Sequence, residues 1–247
     1  MKKLKLLTGL IFLALCSGAN AESLNTSGYY YGLNYYSYSE KTATQNPFME
    51  EKTTVLPTVL LGYRNEESIR SATDRDSLSW FTEAAVGQVE YSQYTGVGTH
   101  DHNYWKFQTE AVYPLPKNFY IGAGYRYLMD YLSDYGTGGY DRENELFYIP
   151  VGYIQNIADG SSIKYQYNYL IEGTQTSHTT DLGYNSDLDN KQDSGFGVDI
   201  AYQPNKSDYE LFVKYWHIDD SDWNTVQGLT AMEPDNTTWE IGLKWAF

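Results

Sequence analysis

Apolar and polar positions alternate along much of the chain, most regularly over residues 237–247. One set of alternate positions there is wholly apolar, and the other is small or charged. The apolar set is Trp239, Ile241, Leu243, Trp245 and Phe247, and the opposite set is Glu240, Gly242, Lys244 and Ala246. A period of two predicts a β-strand with two different faces. Such a strand suits a soluble sandwich, with its apolar face on a core, or a transmembrane barrel, with its apolar face in lipid.

Similar segments recur upstream, and the whole set predicts ten strands. These segments lie at 29–36, 55–64, 80–91, 105–113, 119–130, 147–153, 163–172, 195–202, 209–215 and 237–247. Within 80–91 the alternation changes phase near Gly87, which predicts a β-bulge at that residue.

The connections between these segments favour the barrel. Tight turns rich in Pro, Gly, Asn and Asp occur at 115–118, 158–161 and 204–207. Longer polar loops lie between them at 95–103, 133–143, 173–193 and 219–236. Short and long connections alternate in outer-membrane barrels, which have periplasmic turns and extracellular loops. The exception is 65–77, about 13 residues where a short turn is expected, so eight and twelve strands remain as alternatives.

The N-terminus predicts a secretion signal. Lys2, Lys3 and Lys5 form a basic start, residues 4–16 form an apolar stretch, and Ala19-Asn20-Ala21 supplies a small-x-small cleavage site. We expect cleavage after Ala21, so that 1–21 is removed and 22–247 forms the barrel. The alternative is a lipoprotein acylated at Cys16, the one cysteine of the chain.

Composition narrows the class of protein further. The formal net charge is -15, which disfavours nucleic acid and anionic head groups as partners. The chain has 26 tyrosines and 6 tryptophans. Several stand at strand ends, where a girdle at the lipid–water interface would need them. No apolar run after the signal approaches the length of a transmembrane helix. The predicted fold is all-β: a single antiparallel transmembrane β-barrel of about ten strands.

The C-terminal strand resembles that of a small porin-like outer-membrane β-barrel family of Gram-negative bacteria. The matching residues are Trp239, Ile241, Leu243, Trp245 and the terminal Phe247. Residues 215–222 and 238–243, with Glu233-Pro234, are also similar to the endings of such barrels. The resemblance implies location in the outer membrane, among lipid and lipopolysaccharide, and recognition by the barrel-assembly machinery. It names no solute and no extracellular partner.

Charged residues of both signs fall on the predicted lumen face. They are Arg64, Lys106, Arg126, Lys164, Lys214 and Lys244, with Glu110, Asp130, Glu172, Asp199, Glu210 and Glu240. A ten-stranded barrel is narrow, and buried charges require partners, so these residues suit an ion-pair network that holds the structure together. The other interpretation is the lining of a small, cation-preferring pore.

The predicted outer loops are acidic. Asp219, Asp220 and Asp222 are the weak candidates for a loop-bound divalent cation such as Ca²⁺, which takes oxygen ligands. Such a cation would bridge the loops to lipopolysaccharide phosphates. His100-Asp101-His102 is a second weak candidate for metal binding, without a third ligand at a diagnostic spacing. No other cofactor is expected.

The function predicted from these patterns is a porin-like or structural outer-membrane barrel. An adhesin acting through the acidic loops is one alternative. An omptin-like hydrolase is another, with candidates among Asp101, His102, His217, Asp219 and Asp220. The order His217-Ile218-Asp219 reverses the Asp-x-His order of that family, and the paired-aspartate motif on an earlier strand is absent, so an enzyme is not expected.

Overall fold

The computed structural model describes residues 27–70, 77–93, 99–135 and 139–247. The predicted signal peptide, 1–21, with its cysteine, lies outside the described residues. The strands are β1 Ser27–Lys41, β2 Met49–Lys52, β3 Thr58–Asn65, β4 Ser79–Gln93, β5 His100–Pro114, β6 Phe119–Asp130, β7 Arg142–Asn156, β8 Ser162–Ser177, β9 Leu188–Gln192, β10 Gly195–Gln203, β11 Tyr209–Ile218, β12 Asn224–Val226, β13 Leu229–Ala231 and β14 Asp235–Ala246.

These strands form one closed antiparallel barrel. β2 and β3 pair with the same neighbours, β1 and β4, and so form a single interrupted barrel strand. β9 and β10 both pair with β8 and form another. β14 pairs with β11 on one side and with β1 on the other, from Tyr30 opposite Ala246 to Lys41 opposite Asp235, which closes the sheet. The barrel therefore has ten strands, and the predicted strand count is confirmed. The hairpin β12–β13 stands apart.

The helical elements are short and lie in the connections. Among the residues that the structure describes, one α-helix, α1, spans Glu67–Arg70, and three 3-10 turns span Pro116–Asn118, Leu132–Tyr135 and Thr179–Leu182. No helix in the described part of the chain is long and apolar enough to cross a membrane. α1 occupies the connection that seemed too long for a turn, and the side chains of Ser68 and Ile69 are buried there. α1 therefore packs against the barrel end.

The outer face carries two groups of aromatic side chains. Near the short turns, Tyr29 packs on Tyr63 and Phe119 on Tyr153, with ring centroids 4.9 and 5.0 Å apart. Towards the long loops, the pairs are Trp105–Tyr127, Tyr125–Phe147 and Tyr215–Trp239, at 4.6–4.8 Å. Exposed aliphatic residues lie between the groups, among them Leu33, Leu61, Ile121, Ile200, Leu211 and Ile241. Beyond the second group the outward positions become polar, at Asp101, Asn103, Glu143, Glu145 and Asp219.

One register prediction was wrong, and one irregularity was not predicted. The pairing of β4 with β5 is continuous across Gly87, which lies opposite Tyr104, so there is no bulge at this residue. Glycine is needed there because a Cβ would lie 2.7 Å from both Thr58 Oγ1 and the Tyr104 ring. The irregularity lies instead between β7 and β8, where Phe147 pairs with Glu172 but Tyr148 pairs with Leu170. Ile171 is the extra residue, and the faces of β8 exchange there.

Tyrosines packed onto glycines fill the interior. The ring of Tyr30 covers Gly62, Tyr120 covers Gly152 and Tyr148 covers Gly124, so that a Cβ at any of these glycines would overlap the ring. A glycine in a strand interior marks a close approach of this kind. The glycine on one strand leaves room above its Cα, and the tyrosine ring from the next strand occupies that room.

Candidate functional site: the barrel interior and its long-loop end

Charged side chains close the short-turn end of the interior. Arg64 Nη1 donates to Glu210 Oε2 at 2.8 Å. Glu66, next to α1, accepts from Lys164 Nζ at 2.8 Å and from Arg70 at 2.8 Å. Arg70 also donates to Gln203 and Ser162 on the far side of the barrel, at 3.1 Å each. The long connection is thus tied across the barrel end by ion pairs.

Glu83 is the centre of the ion pairs in the middle of the barrel. Its carboxylate accepts from Lys214 Nζ at 3.0 Å, from Lys244 Nζ at 2.7 Å and from the Tyr30 hydroxyl at 2.9 Å. A second carboxylate, Glu240, pairs with Lys106 and lies 3.6 Å from Arg126. Both glutamates are buried, so each depends on its cationic partners to offset the loss of water.

Two interior carboxylates are bound by neutral groups. Glu110 accepts from the Tyr148 hydroxyl at 2.7 Å and from Gln166 Nε2 at 2.9 Å. Asp199 is 3.3 Å from Gln166 Nε2 and from Asn168 Nδ2. Among the described residues, neither carboxylate lies within 4.0 Å of a lysine or arginine nitrogen. The expectation that these two residues join ion pairs is therefore wrong.

The structure places all but one of the predicted lumen charges inside the barrel. Those inside are Arg64, Lys106, Glu110, Arg126, Asp130, Lys164, Asp199, Glu210, Lys214, Glu240 and Lys244. Glu172 is the exception, because the register shift at Ile171 turns it to the outer face. Its side chain is 53% exposed and lies 3.9 Å from the exposed Lys191. The placement of Glu172 in the lumen was wrong.

Several interior charges were missed from the sequence. They are Glu40, Glu51, Glu66, Glu83, Arg142 and Glu233, all buried. Strict alternation through β4, without the supposed bulge, would have placed Glu83 inward with Ser79 and Ala85. Glu51 precedes the segment that was assigned to the second strand. Its neighbours Glu50 and Lys52 face outward, so the alternation of residues 49–52 could have indicated that Glu51 faces inward.

A dense polar cluster lies inside the long-loop end, beyond the second aromatic group. Arg142 donates to Glu40 at 2.7 Å and to Glu51 at 2.6 Å, and lies 3.5 Å from Asp130. The Tyr38 hydroxyl links Glu40 to Glu233, at 2.9 and 3.4 Å. Burial, and then the charge of Asp130, raise the pKa of the Glu51 carboxyl to about 7. Burial and the charge of Glu40 likewise raise the pKa of Glu233.

The weak loop candidates for a metal do not come together as a set. Asp219 contacts His217, with Oδ1 3.0 Å from Nε2, and His217 Nδ1 lies 3.5 Å from Asp235. Asp220 and Asp222 belong to neither of the three-residue groups of ligating side chains that the described residues form. This outer cluster is half-buried and lies beside the polar boundary of the apolar band.

Asp101 and His102, candidates for an acid–base pair, lie on opposite faces of β5. Asp101 is exposed on the outer face of β5, whereas His102 is buried on its inner face. Alternate side chains of a strand point to opposite faces, so the two residues do not meet. His217 also faces outward.

The predicted assembly signal forms the outer edge of the closing strand pair. Trp239, Ile241, Leu243 and Trp245 lie on the outward face of β14 opposite β1. The backbone N–H of Phe247 donates to Tyr29 O at 3.2 Å, and the Phe247 ring stacks on Tyr29. Recognition of these residues by an assembly machinery stays a prediction.

One half-buried histidine forms a pH-dependent contact in the loop after β8. His178 lies between two carboxylates, with Nδ1 2.9 Å from Asp187 and Nε2 3.0 Å from Glu143. Partial burial disfavours the charged ring, but the hydrogen bonds to Asp187 and Glu143 outweigh it and raise the pKa of His178. The contacts are therefore fully present below the unfolded pKa of about 6.5 and are lost as pH rises through the higher folded pKa.

We expect hydrogen-exchange protection of residues 178–187 to fall as pH rises through the folded pKa of His178, after correction for intrinsic exchange. NMR titration of the ring gives that pKa directly. In the His178→Gln variant, the pH-dependent step in protection should disappear. An identical step in this variant would show that another group controls the loop.

The interior leaves little open space. The cavities between described residues include one of about 30 Å³ beside Lys164 and Lys214, one of about 20 Å³ beside Arg126 and one of about 10 Å³ beside Ile69. About 10–15 Å³ of such space is enough for one water molecule, so these cavities hold roughly one to three water molecules each.

No protein-family model and no curated protein matches this chain. Among solved structures, the β domain of the Bordetella autotransporter BrkA has a TM-score of 0.51 at 9% identity, covering 90% of this chain and 100% of that one. At this identity the likeness shows the fold. That fold, with an apolar outer band and a polar interior, decides the class. The chain is an outer-membrane β-barrel protein.

Two other outer-membrane proteins are similar at lower TM-scores. The protease OmpT from Escherichia coli has a TM-score of 0.43 at 10% identity, covering 90% of this chain and 96% of that one. The protein AlkL has 0.35 at 10%, covering 93% and 94%. In outer-membrane barrels the short turns face the periplasm and the long loops face the outside, and we expect the same orientation here.

Proposed function

We propose that this outer-membrane barrel is a closed scaffold that anchors a structured, acidic extracellular surface, and that it does not conduct solutes. The observation that carries the proposal is the filled interior. Paired charges and tyrosine rings leave cavities of about 10–30 Å³. A hydrated solute needs a continuous path through the barrel, and such a path requires far more open volume than these cavities provide.

The periplasmic end supports the same conclusion. Ile69 of α1 packs in a cluster with Val112, Tyr120 and Ile154, the interior residues nearest to that end. Arg70 holds the helix to the opposite wall through Gln203 and Ser162. The connection thus acts as a plug, fixed by one apolar contact region and one set of charge-assisted hydrogen bonds.

The extracellular loops hold one another in place. The Asn185 N–H donates to Gln227 of the β12–β13 hairpin at 3.0 Å, and Asn224 Nδ2 donates to Asp189 O at 2.6 Å. On the other side, the Asp141 N–H donates to Asp181 at 3.0 Å. Trp223, on the same surface, is 68% exposed. A surface with fixed loops, acidic side chains and an exposed tryptophan suits contact with another molecule at the cell surface.

Liposome swelling tests the closed scaffold. We expect proteoliposomes with the refolded mature protein to swell in small sugars and amino acids no faster than empty liposomes, while a general porin gives rapid swelling. The variant Arg70→Ala releases α1 but leaves the ion pairs and tyrosine rings of the interior in place, so it too should swell no faster than empty liposomes. Rapid, size-dependent swelling of the native protein would contradict the proposal.

A further inference from the structure

Three ligating side chains meet in the extracellular cluster without forming hydrogen bonds to one another. His102 Nε2 lies 3.7 Å from Glu51 Oε1 and 3.9 Å from Asp130 Oδ1. A ligand atom from each of the three residues lies within 4.8 Å of the others. The side chains of His102, Glu51 and Asp130 are 0%, 0% and 1% exposed. The group is therefore enclosed by protein.

Within the described part of the chain, this group contains several buried polar atoms without a hydrogen-bond partner. Neither ring nitrogen of His102 has a hydrogen-bond partner among the described residues, and the same holds for Glu51 Oε2 and Asp130 Oδ1. A buried imidazole without any partner is costly, because burial removes the hydrogen bonds that water supplied. A ligand that bonds to the nitrogen and to carboxylate oxygens at once removes this cost.

Arg142 orients both carboxylates from the other side. Its Nη2 is 2.6 Å from Glu51 Oε1 and 3.5 Å from Asp130 Oδ2. Each carboxylate therefore offers one oxygen to Arg142 and keeps the second oxygen unpartnered. For Asp130 the oxygen nearest His102 is the free Oδ1, whereas for Glu51 it is Oε1, which also accepts from Arg142. Carboxylates that bind metals are commonly held by further hydrogen bonds of this kind.

The charge balance of the cluster also calls for a cation. Glu40, Glu51 and Asp130 all lie within 4.0 Å of the one guanidinium of Arg142, and Glu233 joins them through Tyr38. Buried charges require compensation, and one arginine offsets one of four carboxylates. The remaining negative charge is neutralised by protons or by a metal ion.

We propose that Glu51, His102 and Asp130 hold a divalent transition-metal ion of the Zn²⁺ type in the extracellular end of the barrel. An imidazole nitrogen with two carboxylates suits Zn²⁺, whereas Ca²⁺ takes oxygen ligands alone. Tetrahedral zinc bonds of about 2.0–2.1 Å place ligand atoms about 3.3 Å apart. The two His102 distances of 3.7 and 3.9 Å need to shorten by about half an ångström, and the separation of Glu51 from Asp130, which is within 4.8 Å, has to shorten with them.

This site is distinct from the outer-loop aspartates and goes beyond the role of a closed scaffold. The ion would join β2, β5 and β6, three separate barrel strands, at the base of the extracellular surface. It would do so whether or not the interior conducts, so failure of one proposal leaves the other standing.

Metal retention tests the proposal. We would refold the mature protein with and without ZnCl₂, remove free metal by dialysis and measure zinc per chain by mass spectrometry. We expect about one zinc per folded chain and a higher thermal midpoint than for the zinc-free sample. His102→Gln should retain less than a tenth of this zinc. The matched control His217→Gln, in the half-buried outer cluster with Asp219 and Asp235, should retain as much as the native protein.

Folding of each variant is checked by the gel mobility shift between unheated and heated samples. If His102→Gln does not fold, Asp130→Asn replaces it, and Co²⁺ absorption of the native protein gives a second readout. Visible bands of Co²⁺ with a nitrogen ligand are expected. A folded native protein that retains no zinc and shows no such bands would overturn the proposal. Retention of as much zinc by the His102→Gln and Asp130→Asn variants as by the native protein would also overturn it.

Discussion

Replacing Glu83 with glutamine should reduce the free energy of unfolding by about 3–5 kcal/mol, the usual cost of removing one partner of a buried ion pair. Glu83 is the shared acceptor for Lys214 and Lys244 and for the Tyr30 hydroxyl. Glutamine keeps the size of the side chain but leaves two buried ammonium groups without their counter-charge. Denaturant unfolding of the refolded protein in detergent measures the loss.

The matched control is Glu172→Gln. This carboxylate was expected in the lumen as well, but it lies outside, 53% exposed, with Lys191 at 3.9 Å. Exposed pairs contribute about 0–1 kcal/mol, so the control should leave the free energy of unfolding nearly unchanged. Adding Lys244→Met to Glu83→Gln should recover part of the loss, because it removes one uncompensated charge. Equal stabilities for the two glutamine variants would show that the central ion pairs do not hold the barrel together.

Replacing Gly124 with valine should cost roughly 2–5 kcal/mol, from overpacking and from a lost hydrogen bond to a buried charge. A Cβ at Gly124 overlaps the Tyr148 ring. The displaced ring would give up its hydrogen bonds with Glu110 at 2.7 Å and with Gln108 at 2.8 Å. One extra side chain therefore disturbs both the packing and the polar network.

The neighbouring Ala123→Val is the control, because Ala123 faces outward and is exposed. A surface change of this kind stays within about 0.5 kcal/mol. A double-mutant cycle with Tyr148→Ala identifies the cause: the cost of Gly124→Val should shrink once the ring is absent. If the cost is unchanged in the Tyr148→Ala background, the clash with the ring is not its source.

The alternation of apolar and polar residues was sufficient to predict the barrel, because a period of two is set by neighbouring residues in the chain. The strand 237–247 shows both faces clearly, and β14 presents them as expected, with Trp239 outward and Glu240 inward. The alternation of turns and loops supplied the topology. The long connection at 65–77 raised the alternatives of eight and twelve strands, because a short helix that plugs the barrel carries no strand signal.

Side-chain partners could not be predicted in the same way. Arg142 and Glu51 are 91 residues apart in the chain and meet only because the barrel closes. Glu172 was misplaced because a single extra residue, Ile171, exchanges the faces of β8. Glu83 was missed because small residues around Gly87 imitate a change of phase. In each case the deciding contact is made by another strand.

Conductance in planar lipid bilayers distinguishes a closed scaffold from a pore. The refolded mature protein, shown to be folded by its gel mobility shift and inserted from detergent, is held under a constant voltage in concentrated salt. We expect a baseline without regular steps, since the cavities beside Lys214, Arg126 and Ile69 hold about 30, 20 and 10 Å³. Uniform, long-lived conductance steps at every insertion would contradict a sealed interior and would make this outer-membrane barrel a channel.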